Sequence, residues 1–178
     1  HDILMPVTHY HQDWVPGGMG LTLIDAMDGL WLLGQYEEFY LAKQWVKTKL
    51  TFDVDALVSV FETTIRVLGG LLGAYTFDND WNVLEKAVDL ADRLLPSFRS
   101  KSGIPFTYVN LKTGAVSNND WAPSSAILAE YGTPQLEFRY LSYLTNNFPY
   151  AWHRTRVMDI MEWYGTKSRC GCRVVHGC

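Results

Sequence analysis

Along most of the chain, apolar residues recur at intervals of three and four, the period of a helix with one buried face. Residues 21–33 are apolar almost all round, which predicts a buried helix, and Gly34 is placed to stop it. A second, amphipathic helix is predicted over 37–50, with Phe39, Ala42, Trp45, Val46 and Leu50 on its inner face. After a turn in which Asp53 and Asp55 are candidate caps, the pattern predicts a helix over 57–75, the most apolar part of the chain. Its Gly69, Gly70 and Gly73 lower helix propensity but let another backbone approach closely. Asp80 begins a fourth helix that ends near Pro96, with Val83, Leu84, Ala87, Leu90, Ala91 and Leu94 as its apolar face.

The period breaks over 101–118. Thr107-Tyr-Val-Asn-Leu111 favours a strand and Lys112-Thr-Gly114 a turn, so one short β-hairpin is predicted. Helical pattern resumes over 124–144, with a kink expected at Gly132 and Pro134, and a last helix over 150–163 has weak periodicity. Helices joined by short turns, without alternating strands, predict an all-α fold of antiparallel helical hairpins. No fixed-period repeat and no Pro/Gly/Ser-rich linker divides the chain, which reads as one domain with an appendage after about residue 165.

Composition narrows the function classes. The chain has 178 residues, of which 48% are hydrophobic and 19% charged, an ordinary globular balance. A net charge of −4 with no basic stripe argues against a nucleic-acid partner. No apolar run reaches the ~18 residues that a membrane span needs. Aromatics are abundant at 14%, which suits sugar stacking and equally suits a large helical core. Cys170, Cys172 and Cys178 cluster with His176 near the end of the sequence. Their spacing matches no common zinc module, so a loose tail is the preferred reading over a metal site.

Candidate chemistry lies in polar residues placed among apolar ones. Asp25 and Asp28 share a face of the first apolar helix, where a buried carboxylate must be paired, hydrogen-bonded or functional. Glu62 and Arg66 are four apart in Val60-Phe-Glu62-Thr-Thr-Ile-Arg66-Val-Leu68, and their apolar flanks place the pair at the end of a cleft. Glu130 and Glu137, seven apart, share a face of the kinked helix. Glycoside hydrolysis needs one protonated carboxylic acid and one ionised carboxylate, ~6.5–9.5 Å apart in an inverting enzyme. Spacing alone does not separate such a site from a structural network. There is no G-x-S-x-G elbow, H-E-x-x-H motif or phosphate loop. Gly17-Gly-Met-Gly20 reads as an N-terminal turn, and His9 and His11, between Pro6 and Pro16, as part of a polar loop.

Several of these segments, in this order, resemble the class I α-1,2-mannosidases of glycoside hydrolase family 47. They are Gly20-Leu-Thr-Leu-Ile-Asp25-Ala-Met-Asp28-Gly-Leu-Trp-Leu-Leu-Gly34, Val60-Phe-Glu62-Thr-Thr-Ile-Arg66-Val-Leu-Gly-Gly-Leu-Leu72, Arg93-Leu-Leu-Pro96, Ser102-Gly-Ile-Pro105 and Gln135-Leu-Glu137-Phe138. The resemblance runs from His1 to about Tyr150, and 151–178 is expected to be a tail outside the family pattern. It implies a partial (α/α) barrel and an inverting hydrolysis of terminal α-1,2-linked mannose from high-mannose N-glycans. Glu62 matches the general acid and Arg66 a substrate-contacting arginine. Glu137 and one of Asp25 and Asp28 match acidic residues of the active-site network. Gly29 stands where the family usually has Thr.

The resemblance also implies a calcium ion in the complete domain, with its ligand outside this chain, and a location in the endoplasmic reticulum or Golgi lumen. Any membrane attachment would come from an N-terminal anchor that this chain does not include. The family domain is about three times as long as the matched part, and the second acid and the base are expected beyond it. Residues 1–178 alone are therefore expected to show no mannosidase activity. Two other readings are a non-catalytic, lectin-like factor of glycoprotein degradation and a helical interaction scaffold.

Overall fold

A computed structural model describes residues 1–120, 125–167 and 175–176. The chain opens with an antiparallel β-hairpin, β1 (Ile3–Met5) and β2 (Tyr10–Gln12), where the sequence had suggested a polar loop. His9 takes φ 56° in the turn, and the His11 ring stacks on His1 with centroids 3.3 Å apart. Asp2 fixes the hairpin to the helices that follow. It is 2% exposed, and its carboxylate accepts from the backbone N–H groups of Trp14, Met19 and Leu21 at 2.8–3.0 Å. Asp2→Asn keeps one acceptor and turns a donor toward another donor. It is expected to cost about 1–3 kcal/mol, seen as a lower midpoint in denaturant unfolding at unchanged slope.

The segment predicted as one helix over 21–33 is two, α1 (Leu21–Asp25) and α2 (Met27–Leu32). Alanine is the best helix former, so Ala26 gives no local reason for the break. The break adjoins Ile24, whose carbonyl is pressed against Gly70 of another helix, so tertiary packing overrides propensity. Gly34 ends α2 at φ 75°, as the sequence indicated. Helix α3 (Tyr36–Thr48) follows, burying Phe39, Ala42 and Val46.

Residues 57–59 are not helical. They form β3 (Leu57–Ser59), which pairs antiparallel with β4 (Tyr108–Asn110) of the expected hairpin, and β5 (Val116–Ser117) completes a three-stranded sheet. The Ser59 hydroxyl accepts from Glu62 N at 3.3 Å and starts the next helix. That helix is composite: α4 (Val60–Glu62), a π-helical turn (Thr63–Leu68) and α5 (Gly69–Asp78). Helix α6 (Trp81–Leu94) matches its prediction closely. Asp80 caps it by accepting from Asn82 N at 3.1 Å, and all six residues of the apolar face are at most 1% exposed.

The kink expected near Gly132 and Pro134 is a full break between α7 (Leu128–Gly132) and α8 (Gln135–Thr145). Helix α9 (Phe148–Lys167) packs back on α8, with Tyr150 and Val157 at most 1% exposed. The Tyr150 hydroxyl donates to Asp92 at 2.6 Å, tying α9 to α6. Residues 125–126 and 175–176 form a two-residue antiparallel pair. Cys170, Cys172 and Cys178 lie outside the described residues. The fold is predominantly helical, built of packed hairpins with a small antiparallel sheet beside the start of the composite helix. Among the described residues no helix is long and apolar enough to cross a membrane.

Candidate active site

The composite helix brings Glu62 and Arg66 together: Arg66 Nε donates to Glu62 Oε2 at 2.7 Å. The same guanidinium donates through NH1 to Asp25 Oδ2 at 3.3 Å, from the end of α1. One cation thus joins two carboxylates that are 37 positions apart in the chain. The hydrogen bond to Glu62 is the main cause that raises the Arg66 guanidinium above its ordinary value, against the opposing effect of burial. The apolar flanks placed the pair at the end of a cleft, and clefts border it. The side chains of Glu62, Arg66 and Asp25 are 35%, 41% and 44% exposed, so they face open clefts.

Two clefts meet here. One, of about 510 Å³, is lined by Asp25 and Arg66 with Trp14 and Thr22. The other, of about 370 Å³, is lined by Glu62 and Ser59 with Trp14 and Gln12. Trp14 borders both, held at its backbone by Asp2. This position was not legible in the sequence, because nothing local separates Trp14 from the other six tryptophans.

Glu130, on α7, is the carboxylate most affected by the site. Burial first, and the negative charge of Glu62 second, push its carboxyl above the ordinary range. It lines a small recess with Val60, Phe61 and Tyr131. A carboxyl raised in this way costs folding stability at neutral pH and costs nothing below the unfolded value of 4.5. Glu130→Gln is therefore expected to unfold at higher temperature than the parent at pH 7. The difference should vanish as pH falls below about 4.5, and an equal gain at both pH values would contradict the assignment.

The remaining two candidates come from other helices. Glu137, half-buried in the first turn of α8, lies beside Gly69, three residues past Arg66. Asp28 is exposed, accepts from the N–H of Gly29 at 2.6 Å, and makes no contact with Arg66. The expectation that Asp25 and Asp28 are both buried is thus overturned. The break at Ala26 takes them off a shared face, and only Asp25 reaches the arginine.

Glu62 and Asp25 do not fit a calcium site, because their carboxylates already hold a guanidinium. Among the described residues no group of three or more His, Cys, Asp or Glu is placed to hold a metal ion.

The chain as a whole is similar to known proteins. Residues 1–172 match the model of glycosyl hydrolase family 47. Over 147 residues the chain is 48% identical to the human endoplasmic reticulum mannosyl-oligosaccharide 1,2-alpha-mannosidase, covering 83% of this chain and 21% of that protein. It is 48% identical over 135 residues to mannosyl-oligosaccharide 1,2-alpha-mannosidase MNS1 of Arabidopsis thaliana, covering 75% of this chain and 24% of that protein. Among solved structures, the alpha-1,2-mannosidase from Trichoderma reesei superposes with a TM-score of 0.78 at 32% identity, covering 88% of this chain and 34% of that one. The chain spans between a fifth and a quarter of the length of these two curated relatives. Its helical hairpins are part of an (α/α) barrel, and the chain belongs to glycosyl hydrolase family 47.

Proposed function

We propose that the protein containing this chain hydrolyses terminal α-1,2-linked mannose from high-mannose N-glycans with inversion at the anomeric carbon. The observation that carries this is the Arg66 guanidinium shared by Glu62 and Asp25, with Arg66 and Asp25 lining one cleft, Glu62 the other, and Trp14 both. The names of the relatives support the substrate class.

Each residue has a proposed task. Trp14 offers a ring face to the apolar C–H face of a sugar. Arg66 and Asp25 together supply donors and acceptors to sugar hydroxyls, as a planar guanidinium beside a carboxylate suits a vicinal diol. Glu62 gives a proton to the departing glycosidic oxygen. A proton donor and its neighbouring carboxylates work best when their environments differ. Glu130 differs in this way: burial and the negative charge of Glu62 both act on its carboxyl. Glu137 contributes to the acidic network around the sugar, and of Asp25 and Asp28 it is Asp25 that belongs to it. The base that activates water on the opposite face belongs to the rest of the domain, as do the ligands of any calcium ion.

The endoplasmic reticulum or Golgi lumen is the proposed location, in keeping with the name of the human relative. Identity of 48% to named mannosidases favours an enzyme over a lectin-like factor or a scaffold. Proton NMR of a high-mannose glycan digested by the full-length protein tests the reading. Free mannose should appear first as the β-anomer and then mutarotate. First appearance as the α-anomer would rule out inversion, and no release would rule out the enzyme.

A further inference from the structure

Helix α5 carries three glycines on one face, and each meets a different acid-bearing element. A Cβ on Gly69 would lie 3.7 Å from Cγ of Glu137, and one on Gly73 would lie 3.5 Å from Cβ of Asp28, both ordinary contacts. Gly70 differs. A Cβ there would lie 2.5 Å from the carbonyl oxygen of Ile24 and 2.9 Å from its carbonyl carbon. Two backbones touch at this point, and the residue after Ile24 is Asp25.

We infer that Gly70 is a positioning residue for the sugar-binding pair: by admitting the α1 backbone it fixes Asp25 within reach of Arg66. Adjacent residues of α1 meet residues four apart on the composite helix, Ile24 against Gly70 and Asp25 against Arg66. Gly70 lies inside a helix and its φ is not positive, so backbone conformation does not explain the glycine. Alanine has the higher helix propensity there, and Ile24 excludes it, chiefly through its carbonyl oxygen at 2.5 Å and also through its Cγ2 at 2.9 Å. Ordinary contact begins at 3.4 Å, so a methyl group at this position drives α1 back by roughly 1 Å. The Arg66–Asp25 bond is already 3.3 Å long and does not survive that retreat. Misplacement of this size at a site can cost about a hundredfold in rate.

This inference rests on reading Arg66 and Asp25 as sugar-binding groups, and the test separates the two. Hydrolysis of a high-mannose N-glycan is measured for the full-length protein and for Asp25→Asn, Gly70→Ala and their combination. Each single change should raise KM about tenfold or more, the worth of a charged hydrogen bond, with a smaller effect on kcat. The combination should be no more than about twofold worse than either, since both remove one contact. Asp25→Glu, with one more methylene, should raise KM in the parent and lower it in the Gly70→Ala background.

A Gly70→Ala that only loosens the fold would reduce the amount of active protein, leave KM unchanged and add its full effect to Asp25→Asn. That result overturns the inference and leaves the sugar-binding reading intact. An unchanged KM in Asp25→Asn overturns both. If Gly70→Ala yields no folded protein, Asp25→Glu in the parent decides. With α1 pinned at Gly70 the longer side chain overshoots Arg66 and KM rises, whereas an unchanged KM overturns the inference.

Discussion

Glu62→Gln in the full-length protein is expected to lower kcat for mannose release by about 10²–10⁴-fold while leaving KM within a small factor. The substitution is nearly isosteric, and the glutamine oxygen can still accept from Arg66 Nε, which it now meets at 2.7 Å. Arg66 also keeps its second carboxylate, Asp25, so the sugar-binding group stays in place. What disappears is the exchangeable proton on the leaving-group side of the site. Arg66→Lys makes the contrast: a point charge cannot bridge Glu62 and Asp25 as a planar guanidinium does, so that change acts on KM. A Glu62→Gln protein with undiminished kcat would move the proton donor elsewhere. Glu130, held above the ordinary carboxyl range beside Glu62, would then be the first alternative.

How much of this was legible in the sequence depends on how local each cause is. Helix α6 was legible almost to the residue, because its cap, its apolar face and the proline after it all lie within its own stretch. The Glu62–Arg66 pair was legible as well, since spacing of four on a helix is a local fact. The carboxylate that completes it was not. Asp25 joins it through a contact 41 residues away, which no periodicity reports.

Other misses share that origin. Leu57-Val-Ser59 continues the apolar pattern of the helix after it, and becomes a strand only because Tyr108–Asn110 offers a partner edge. The π-turn at Thr63–Leu68 shifts the register of the helix, which a pattern at period 3.6 cannot register. Asp2 resembled any acidic residue near a terminus. Its importance lies in three backbone N–H groups more than ten residues away. The glycines of α5 were legible as places of close approach, but which backbone arrives at Gly70 is a tertiary fact.

The largest loss of stability is expected from Lys43→Ala, at about 3–5 kcal/mol, the cost of removing one partner from a buried ion pair. Lys43 is a charged residue on the buried side of α3, only 8% exposed, and its ammonium bonds to Asp78 at the end of α5. It also lies 3.3 Å from Asp80, the cap of α6, which Lys47 reaches at 3.2 Å. One cation therefore fastens three helices at the turn between α5 and α6. The Tyr40 ring, 4.8 Å from the ammonium, adds a cation–π contact. Truncation leaves two largely desolvated carboxylates facing each other with Lys47 alone to offset them.

Lys43→Met combined with Asp78→Asn should recover much of the loss, because it removes the charge and its partner together. Burial works against the charge on Lys43, yet hydrogen bonds to Asp78 and Asp80 outweigh it and raise the ammonium above 10.5. Burial likewise opposes the charge on Asp80, and its bonds to Asn82, Lys47 and Lys43 outweigh that and hold the carboxyl well below 3.8. The stability from Lys43 is present below 10.5 and is lost as pH rises through its native value. That from Asp80 is present above 3.8 and is lost as pH falls toward its native value. The gap in unfolding free energy between the parent and Lys43→Ala should therefore hold steady between about pH 5 and pH 10 and close on both sides. A gap that persists undiminished at pH 2 would show that packing of the lysine stem against Phe39 and Tyr40, and not charge, holds the three helices together.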